Sequence, residues 1–403
     1  MTPDADALRC DVFCRVVDNY GDAAVCWRLA RSLAGEQGFR VRLWIDRMEV
    51  LAALQPALDP RLDVQRLDAV QVHRSPPSAE EADLPDIAID AFGGGLPDGY
   101  ASALAARRPR ALWIVLEYLT AERWAADVHR LASPHPALDI RRRFFCPGFD
   151  PGTGGLLREQ GLLEARAAFE ADGYEQARFR QRLGLPRLDG QAALVSLFGY
   201  ANPGLHDLLA AMAAGPRPVV LAVAPGPLAD GVADWFATGG VRSTAGAASA
   251  GMLQVRTLPF LSQPDYDRLL WSADLNFVRG EDSLVRGLWA AQPLCWQLYP
   301  QQDDAQCPKL QAFIDVCDRL YGSVATNDVG ERAAAVALAA LQHAWNGCRV
   351  APAARGQRVA AAWPAVLAGL PALHRRASAL ATSLGGQPDL AARLAGFCRE
   401  QLK

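Results

Sequence analysis

The chain has 403 residues, of which 51% are hydrophobic and 21% are charged, and its formal net charge is −3. A chain of this length is expected to divide its apolar core between two domains. The small acidic excess argues against a general nucleic-acid binder, because such a surface needs a basic excess to track phosphates. No segment predicts a membrane span or a secretory signal peptide, so we expect a cytoplasmic protein.

The cysteines and histidines form no recognisable metal-binding pattern. Nine cysteines, an odd number without a CxxC pair, include Cys10, Cys14, Cys26 and Cys295 within apolar runs. This placement predicts reduced, buried thiols rather than disulfides or a zinc site. The six histidines contain no HxxxH or HExxH spacing, and the single DxD motif lies at the N-terminus. We therefore expect no catalytic metal and no bound cofactor.

The first half of the chain alternates apolar runs with helical periodicity, as βαβ units do. A segment rich in proline and glycine, residues 133–159, is predicted to be an ordered loop region that closes this domain, and a charged helical segment follows at 160–184. The alternation predicts strands at residues 10–17, 39–46, 62–67, 86–92 and 110–119, and helices near 22–36 and 98–107.

A second α/β series begins at residues 192–200 and is followed by a helical region at 330–403, with interruptions expected at Pro364, Pro371 and Pro388. Two Rossmann-like domains that face each other across a cleft, with a helical C-terminal tail, are typical of nucleotide-sugar transferases. Further strands are predicted in PVVLAVAPG, LQVRTLPFL, DLNFVR and PLCWQLYP, and helices in YDRLLWSA and at 283–291.

Two carboxylates follow the first predicted strand, where a nucleotide-binding domain would usually have a glycine-rich turn. Asp18 and Asp22 lie outside the carboxyl end of that strand, which is where open α/β sheets bind ligands. Two anions would repel a pyrophosphate, so we expect a neutral or cationic group here. The structural alternative is that Asp22 caps the next helix and Asp18 forms an Asx-turn.

A second polar group follows the predicted strand DLNFVR. Arg279 and Gly280 form a turn, and Glu281, Asp282 and Ser283 begin a helix. A guanidinium and the free N–H groups of a helix N-terminus together predict a phosphate site without a P-loop. The structural alternative is an ordinary helix N-terminus, because helices commonly begin with acidic residues.

Aromatic side chains at predicted strand ends could bind a nucleotide base. Phe198 and Tyr200 end one strand, Phe260 ends another, and Gln263 follows closely. Aromatic rings can stack on a base, and a glutamine amide can hydrogen-bond its edge. Taken singly, each aromatic residue is more often part of a core.

Three segments together resemble a known enzyme family. Residues 18–34, which contain DNYGD, residues 133–159, and residues 278–301, which contain VRGEDS, resemble bacterial protein-arginine rhamnosyltransferases of the EarP type, which modify translation elongation factor P. The resemblance runs in order from Asp11 to about Lys309. It implies a GT-B fold, dTDP-β-L-rhamnose as co-substrate, inversion at the anomeric carbon, and one arginine of elongation factor P as acceptor.

The resemblance also implies domains and residue roles. The acceptor-binding domain would span 1–160, with a C-terminal helix at about 375–403 packed back on it, and the nucleotide-sugar domain would span 186–370. Asp22 would be the catalytic base, Asp18 its supporting acid and Glu281 a third essential carboxylate. The residues implied for donor binding are Asn19, Phe198, Tyr200, Phe260, Gln263, Arg279, Gly280, Asp282, Ser283 and Tyr299.

Other functions remain open at this point. A GT-B transferase with a different nucleotide sugar or acceptor would have the same fold. A nucleotide-dependent oxidoreductase or epimerase is disfavoured because GxGxxG is missing after the first predicted strand. A non-enzymatic nucleotide-binding regulator would have no need of three carboxylates at one site.

Overall fold

A computed structural model describes residues 7–18, 20–74, 84–188, 190–239, 246–322 and 329–403 of the chain. The chain divides into two units, each with its own sheet and apolar core. Unit 1 contains Met1–Leu162 and Gly386–Lys403, and unit 2 contains Leu163–Gly385. The chain therefore leaves unit 1 once and returns to it at its C-terminal end.

In its described residues, unit 1 has eight strands, and four helices precede the crossing into unit 2. The strands are β1 (Arg9–Cys14), β2 (Arg40–Ile45), β3 (Val64–Leu67), β4 (Val70–His73), β5 (Ile87–Ala91), β6 (Leu112–Leu116), β7 (Ala132–Pro134) and β8 (Arg141–Phe145). The helices are α1 (Tyr20–Gly35), α2 (Met48–Leu54), α3 (Asp98–Ala106) and α4 (Trp124–Val128). The strand order is β3-β4-β2-β1-β5-β6-β8-β7, with β3 and β7 antiparallel to their neighbours and the other pairs parallel.

The central strands of unit 1 form where the sequence has continuous apolar runs. Every residue of β5 and of β6 is buried, as is every residue of β1 after Arg9. Such runs are typical of parallel strands covered on both faces. The strands predicted at 10–17, 86–92 and 110–119 are confirmed, and their carboxyl ends lie at the same edge of the sheet.

Sequence reasoning finds the edge strand β3 but misses its partner β4, and it misses β7 and β8 at the other edge of this sheet. The predicted strand 62–67 is half of a hairpin, because β3 pairs with β4 across a tight turn in which Asp68 has a φ of 52°. The predicted loop region 133–159 contains most of β7 and all of β8, which pairs in parallel with β6. The segment RRRFF in β8 has no apolar alternation, so its strand state depends on pairing with β6 rather than on local pattern.

Unit 2 is built on a second, six-stranded sheet in the order β11-β12-β10-β9-β13-β14, in which β11 is antiparallel to β12 and the other pairs are parallel. Its strands are β9 (Ala193–Leu197), β10 (Val219–Val223), β11 (Ala247–Ala250), β12 (Leu253–Thr257), β13 (Leu275–Arg279) and β14 (Leu294–Gln297). Its helices are α5 (Leu162–Ala171), α6 (Gly173–Arg182), α7 (Leu205–Ala213), α8 (Pro227–Thr238), α9 (Gln263–Ser272), α10 (Asp282–Trp289), α11 (Gln306–Gly322), α12 (Val329–Trp345) and α13 (Arg355–Gly385).

Two of the three predicted helix interruptions are wrong. Pro364 and Pro371 both lie inside α13, which continues through them to Gly385. An internal proline removes a hydrogen bond and costs about 3 kcal/mol. The helix tolerates this cost because it packs along the core of unit 2, where its buried side chains are Val359, Trp363, Val366, Leu367, Leu370 and Leu373.

The last helix, α14 (Leu390–Gln401), packs in unit 1. Its buried Leu394 and Phe397 belong to the same core as β1. The return to unit 1 begins at Gly386 rather than near residue 375, because α13 runs unbroken within unit 2. The interruption predicted at Pro388 is confirmed, and Asp389 caps α14 by accepting a hydrogen bond from Ala392 N–H at 3.0 Å.

The prediction that the cysteines are reduced is wrong for one pair. Cys307 and Cys348 form a disulfide with a Cα–Cα distance of 5.5 Å. The two positions are 41 residues apart and have no spacing motif, so no local pattern could reveal the pairing. Cys10, Cys14, Cys26 and Cys295 are free and buried, as predicted.

A buried ion pair joins α9 to α10. Arg286 donates from Nε and Nη2 to the two carboxylate oxygens of Asp267 at 2.8 and 2.6 Å, and the side chains are 2% and 8% exposed. Removing one partner of such a pair leaves an uncompensated buried charge. We expect Asp267→Ala to lower the free energy of unfolding by about 3 kcal/mol, measured by denaturant unfolding of the full chain.

The exposed pair Arg178–Glu175 on α6 is the matched control for this variant. Glu175→Ala should cost less than about 1 kcal/mol, because water screens both charges. Equal losses for the two variants would contradict a structural role of the buried pair.

Candidate active site

Asp22 lies in the first turn of α1, and its carboxylate turns back toward the end of β1. Its Oδ2 atom accepts hydrogen bonds from the N–H groups of Val17 and Asp18, both at 2.8 Å. The residue is 2% exposed. Val17 and Asp18 precede α1, so this carboxylate oxygen holds the turn before the helix in place, whereas the structural alternative had Asp22 capping the helix itself.

The second oxygen of Asp22 has a different environment. The Tyr118 hydroxyl lies 3.4 Å from Asp22 Oδ1, which is long for an O–H···O hydrogen bond. The Tyr118 ring stacks on Phe92, with centroids 4.3 Å apart and planes 10° from parallel. Tyr118 is 38% exposed, whereas Asp22 is almost fully buried. The two backbone N–H groups of the turn thus account for Oδ2, whereas Oδ1 lies beside a half-exposed aromatic ring.

Burial raises the pKa of Asp22 above the ordinary aspartate value. The backbone N–H groups of Asp18 and Val17 oppose this increase, the negative charge of Asp18 adds to it, and the Tyr118 hydroxyl lowers the pKa again. A carboxylate with a raised pKa is a stronger proton acceptor once it is ionised. Its basic form is lost as the pH falls through that raised pKa.

Asp18 shares the turn with Asp22, so the structure brings the two predicted carboxylates together. Gly21 N–H donates to the Asp18 carbonyl at 2.8 Å. A Cβ atom at Gly21 would lie 2.9 Å from Asp18 Oδ2, so the glycine leaves room for this carboxylate. Asn19, the other site residue predicted in this segment, lies outside the described residues.

Sequence reasoning missed further polar residues at the same edge of the unit 1 sheet. Asp90 is in β5 and is 4% exposed, and its Oδ1 accepts a hydrogen bond from Gly95 N–H at 2.9 Å. Glu117 and Tyr118 directly follow β6. Burial raises the pKa of Glu117. A signal was available, because each residue lies within two positions of the carboxyl end of a predicted strand.

Burial raises the pKa of Asp90 to about 6. The unfolded chain releases this proton near pH 4, so stability should fall as the pH rises from about 4 to about 6 and remain lower above it. We expect Asp90→Asn to remove this loss and to be more stable than the wild type at pH 8 by roughly 2 kcal/mol. Melting temperatures from pH 4 to pH 8 measure the effect. Parallel curves for the two proteins would contradict it, and exposed Asp139→Asn is the control.

In unit 2, the Arg279 guanidinium lies over two aromatic rings. Its central carbon is 4.7 Å from the Phe198 ring centroid and 4.5 Å from the Tyr200 ring centroid. Tyr299 meets Tyr200 edge to face at 5.3 Å and is 60% exposed. Because Phe198 and Tyr200 are only partly buried, they are not simple core residues. The structure therefore brings four of the predicted donor-binding residues together.

The turn after β13 is held by Ser283. Its Oγ accepts a hydrogen bond from Arg279 N–H at 3.0 Å and donates to the Arg279 carbonyl. Gly280 has a φ of +60°, a conformation that favours glycine. Glu281 does not cap α10 with its side chain, and both Glu281 and Asp282 are half-buried at the helix N-terminus.

The remaining predicted residues lie near the start of α9. Phe260 is 46% exposed and lies three residues beyond β12 rather than at its end, and Gln263 is 5% exposed as the first residue of α9. Sequence reasoning missed Gln297, whose Oε1 accepts a hydrogen bond from Tyr200 N–H at 3.0 Å. Gln297 ends β14, so the strand-end rule could have found it.

Comparisons with known proteins agree along the whole chain. The model of the family described as "Elongation-Factor P (EF-P) rhamnosyltransferase EarP" matches residues 10–399. The chain belongs to this family. A protein-arginine rhamnosyltransferase of Pseudomonas aeruginosa is 40% identical over 393 residues, which cover 97% of this chain and 99% of the relative. A protein-arginine rhamnosyltransferase of Pseudomonas putida is also 40% identical, over 392 residues that cover 97% and 99%.

A solved structure supports the same assignment. A chain from work on the structural basis for EarP-mediated arginine glycosylation of translation elongation factor EF-P matches with a TM-score of 0.65 and 31% identity, covering 98% of this chain and 99% of that chain. The two units of the present chain are the Rossmann-like domains of the GT-B glycosyltransferase class, and a helical C-terminal tail is present.

The residues that the structure describes bear on metal binding and on membrane insertion. Within these residues, no group of three or more histidine, cysteine, aspartate or glutamate side chains is arranged to hold a metal ion. Among the helices of the same residues, none is both long and apolar enough to cross a membrane.

Proposed function

We propose that this protein transfers L-rhamnose from dTDP-β-L-rhamnose to the guanidinium of a specific arginine of translation elongation factor P, with inversion at the anomeric carbon. Relatives that share 40% identity along almost the whole chain are protein-arginine rhamnosyltransferases. The observation that supports this chemistry is that the two oxygens of the Asp22 carboxylate have different contacts. Oδ2 accepts hydrogen bonds from two backbone N–H groups, and Oδ1 lies beside the half-exposed Tyr118.

The acceptor chemistry requires a strong, well-oriented base. An arginine side chain has a pKa above about 12, and its lone pairs are delocalised over the guanidinium. A desolvated carboxylate can accept hydrogen bonds from the guanidinium N–H groups and favour localisation of the charge away from one nitrogen. It can then accept the proton of that nitrogen as the N-glycosidic bond forms. Asp22 has the burial and the fixed orientation for this role, and Asp18 supports it by adding negative charge in the same turn.

The donor chemistry requires positive charge for the departing diphosphate. In the proposal, the Arg279 guanidinium and the N–H groups at the start of α10 bind that diphosphate, and no metal ion is needed. The partly exposed rings of Phe198, Tyr200, Phe260 and Tyr299, together with Gln263, would hold the nucleoside. Asp282 and Ser283 would complete the donor site beside Gly280, and Glu281 is proposed as a third essential carboxylate.

Inversion follows from a single displacement. The arginine nitrogen attacks the anomeric carbon from the face opposite the diphosphate, the bond to the diphosphate oxygen breaks, and Asp22 takes the proton of the attacking nitrogen. Since the carboxylate acts as a base and not as a nucleophile, no glycosyl-enzyme intermediate forms, and the β-linked donor gives an α-linked product.

The test is incubation of the purified protein with dTDP-β-L-rhamnose and elongation factor P, followed by intact-mass measurement of the acceptor. The proposal predicts a gain of one deoxyhexose residue. Parallel reactions with other nucleotide sugars, and with an acceptor whose target arginine is replaced by lysine, should give no gain. An unchanged acceptor mass in the complete reaction would overturn the proposal. Addition of a chelator should leave the rate unchanged.

A further inference from the structure

A pair of stacked aromatic rings lies beside Asp22 in unit 1. Phe92 directly follows β5, and Tyr118 lies two residues beyond β6. Phe92 N–H donates to the Leu116 carbonyl at 2.7 Å, so the ends of two paired strands hold the rings together. The φ of Phe92 is +62°, a left-handed conformation that is unfavourable for a bulky residue. Such conformations persist only where the surroundings enforce them, and they cluster at functional sites.

Tyr118 provides open surface next to a carboxylate that is almost fully covered. Tyr118 is 38% exposed, whereas Asp22 is 2% exposed. Its hydroxyl is 3.4 Å from Asp22 Oδ1, which is beyond the usual O–H···O range. A charged N–H donor makes a shorter and stronger hydrogen bond to a carboxylate than a neutral hydroxyl does. An arriving guanidinium could therefore displace this contact and take the same oxygen.

We infer that Tyr118, supported by Phe92, positions the acceptor arginine. The guanidinium plane stacks on the Tyr118 ring, and the Tyr118 hydroxyl keeps Asp22 Oδ1 directed toward that plane until the acceptor arrives. Guanidinium groups stack on aromatic faces and donate in-plane to carboxylates at the same time, which a compact ammonium cannot do. The inference rests on the proposed function and adds to it an acceptor-side contact that would select arginine over lysine.

The two parts of this role can be separated by substitution. Tyr118→Leu removes the ring, so the Michaelis constant for the acceptor should rise about tenfold while that for the donor stays unchanged. Tyr118→Phe keeps the ring, so the acceptor constant should change by less than about twofold. Exposed Tyr174→Leu, on α6, is the matched control and should behave as the wild type.

The pH profile of Tyr118→Phe tests the hydroxyl. The ionisable groups that act on Asp22 are Asp18 in the same turn, which raises its pKa, and Tyr118 beyond β6, which lowers it. Removing the hydroxyl should raise the pKa of Asp22, so the acidic limb of kcat/KM should move to higher pH. A tyrosine that only filled space would leave this limb where it is.

The experiment measures initial rates of rhamnose transfer against acceptor, donor and pH for all four proteins. An unchanged acceptor constant for Tyr118→Leu, a donor constant that rises instead, or an unmoved acidic limb for Tyr118→Phe overturns the inference. If Tyr118→Leu fails to fold, the Tyr118→Phe profile decides alone. Absence of transfer by the wild type would remove the proposed function as well, whereas wild-type transfer with unchanged variants removes only the role of Tyr118.

Discussion

Replacing Asp22 by asparagine is expected to lower the rate of transfer by about 10²–10⁴-fold, because the variant cannot accept the proton of the attacking nitrogen. The fold should survive. The side-chain oxygen of asparagine can still accept hydrogen bonds from Val17 and Asp18 N–H. The variant also removes a buried negative charge, whose cost is shown by the raised pKa of the Asp22 carboxyl group. Donor affinity should also be unchanged, because the proposed donor residues other than Asn19 lie in unit 2.

Single-turnover kinetics measure the transfer rate, calorimetry measures donor affinity, and the melting temperature shows whether the fold survives. Asp274 offers a control, since its carboxylate also accepts a backbone hydrogen bond, from Leu194 N–H at 2.8 Å, and desolvation also raises its pKa. Asp274→Asn should keep the wild-type transfer rate. Wild-type turnover by Asp22→Asn would refute the assignment of the base.

Replacing Arg279 by alanine is expected to lower kcat/KM for the donor by about 10²–10³-fold, the usual cost of removing a group that stabilises developing charge. The guanidinium lies within 4.7 Å of two ring centroids, so it is oriented before the donor binds. Arg279→Lys keeps the charge but loses the planar group that stacks on the rings, and we expect an intermediate loss.

Binding of dTDP and of thymidine should distinguish the role of Arg279. If the guanidinium binds the diphosphate, Arg279→Lys should weaken dTDP binding much more than thymidine binding. Arg178→Ala is the control, because this exposed arginine on α6 stacks on Tyr174. Equal losses for the two ligands would mean that Arg279 acts only by holding Phe198 and Tyr200 in place.

The sequence predicts those site residues that directly follow an apolar run. Arg279 ends a strand that is recognisable from its own residues, and Asp18 and Asp22 lie in the turn and the first helical turn that follow another such strand. The carboxyl ends of parallel strands are where such folds bind ligands. The same rule, applied to β6 with the bounds that the structure gives it, would have found Glu117 and Tyr118. They were missed because the predicted strand 110–119 extends past Leu116, where β6 ends.

Features that depend on distant parts of the chain could not be predicted. The contact of Tyr118 with Asp22 joins residues 96 positions apart, and the disulfide of Cys307 joins it to a cysteine 41 positions away. Pro364 lacks a backbone N–H and therefore favours a helix break locally, yet packing against the unit 2 core keeps α13 continuous. In each case tertiary contacts outweigh a local preference or supply a pairing that no spacing encodes.

Site-resolved mass spectrometry of elongation factor P after reaction with the wild-type protein and dTDP-β-L-rhamnose tests the central claim most directly. We expect fragmentation to place one deoxyhexose on one arginine side chain, and we expect Asp22→Asn to leave that arginine unmodified under the same conditions. A sugar found on a lysine, serine or threonine, or an arginine that stays unmodified with the wild-type protein, would contradict the account.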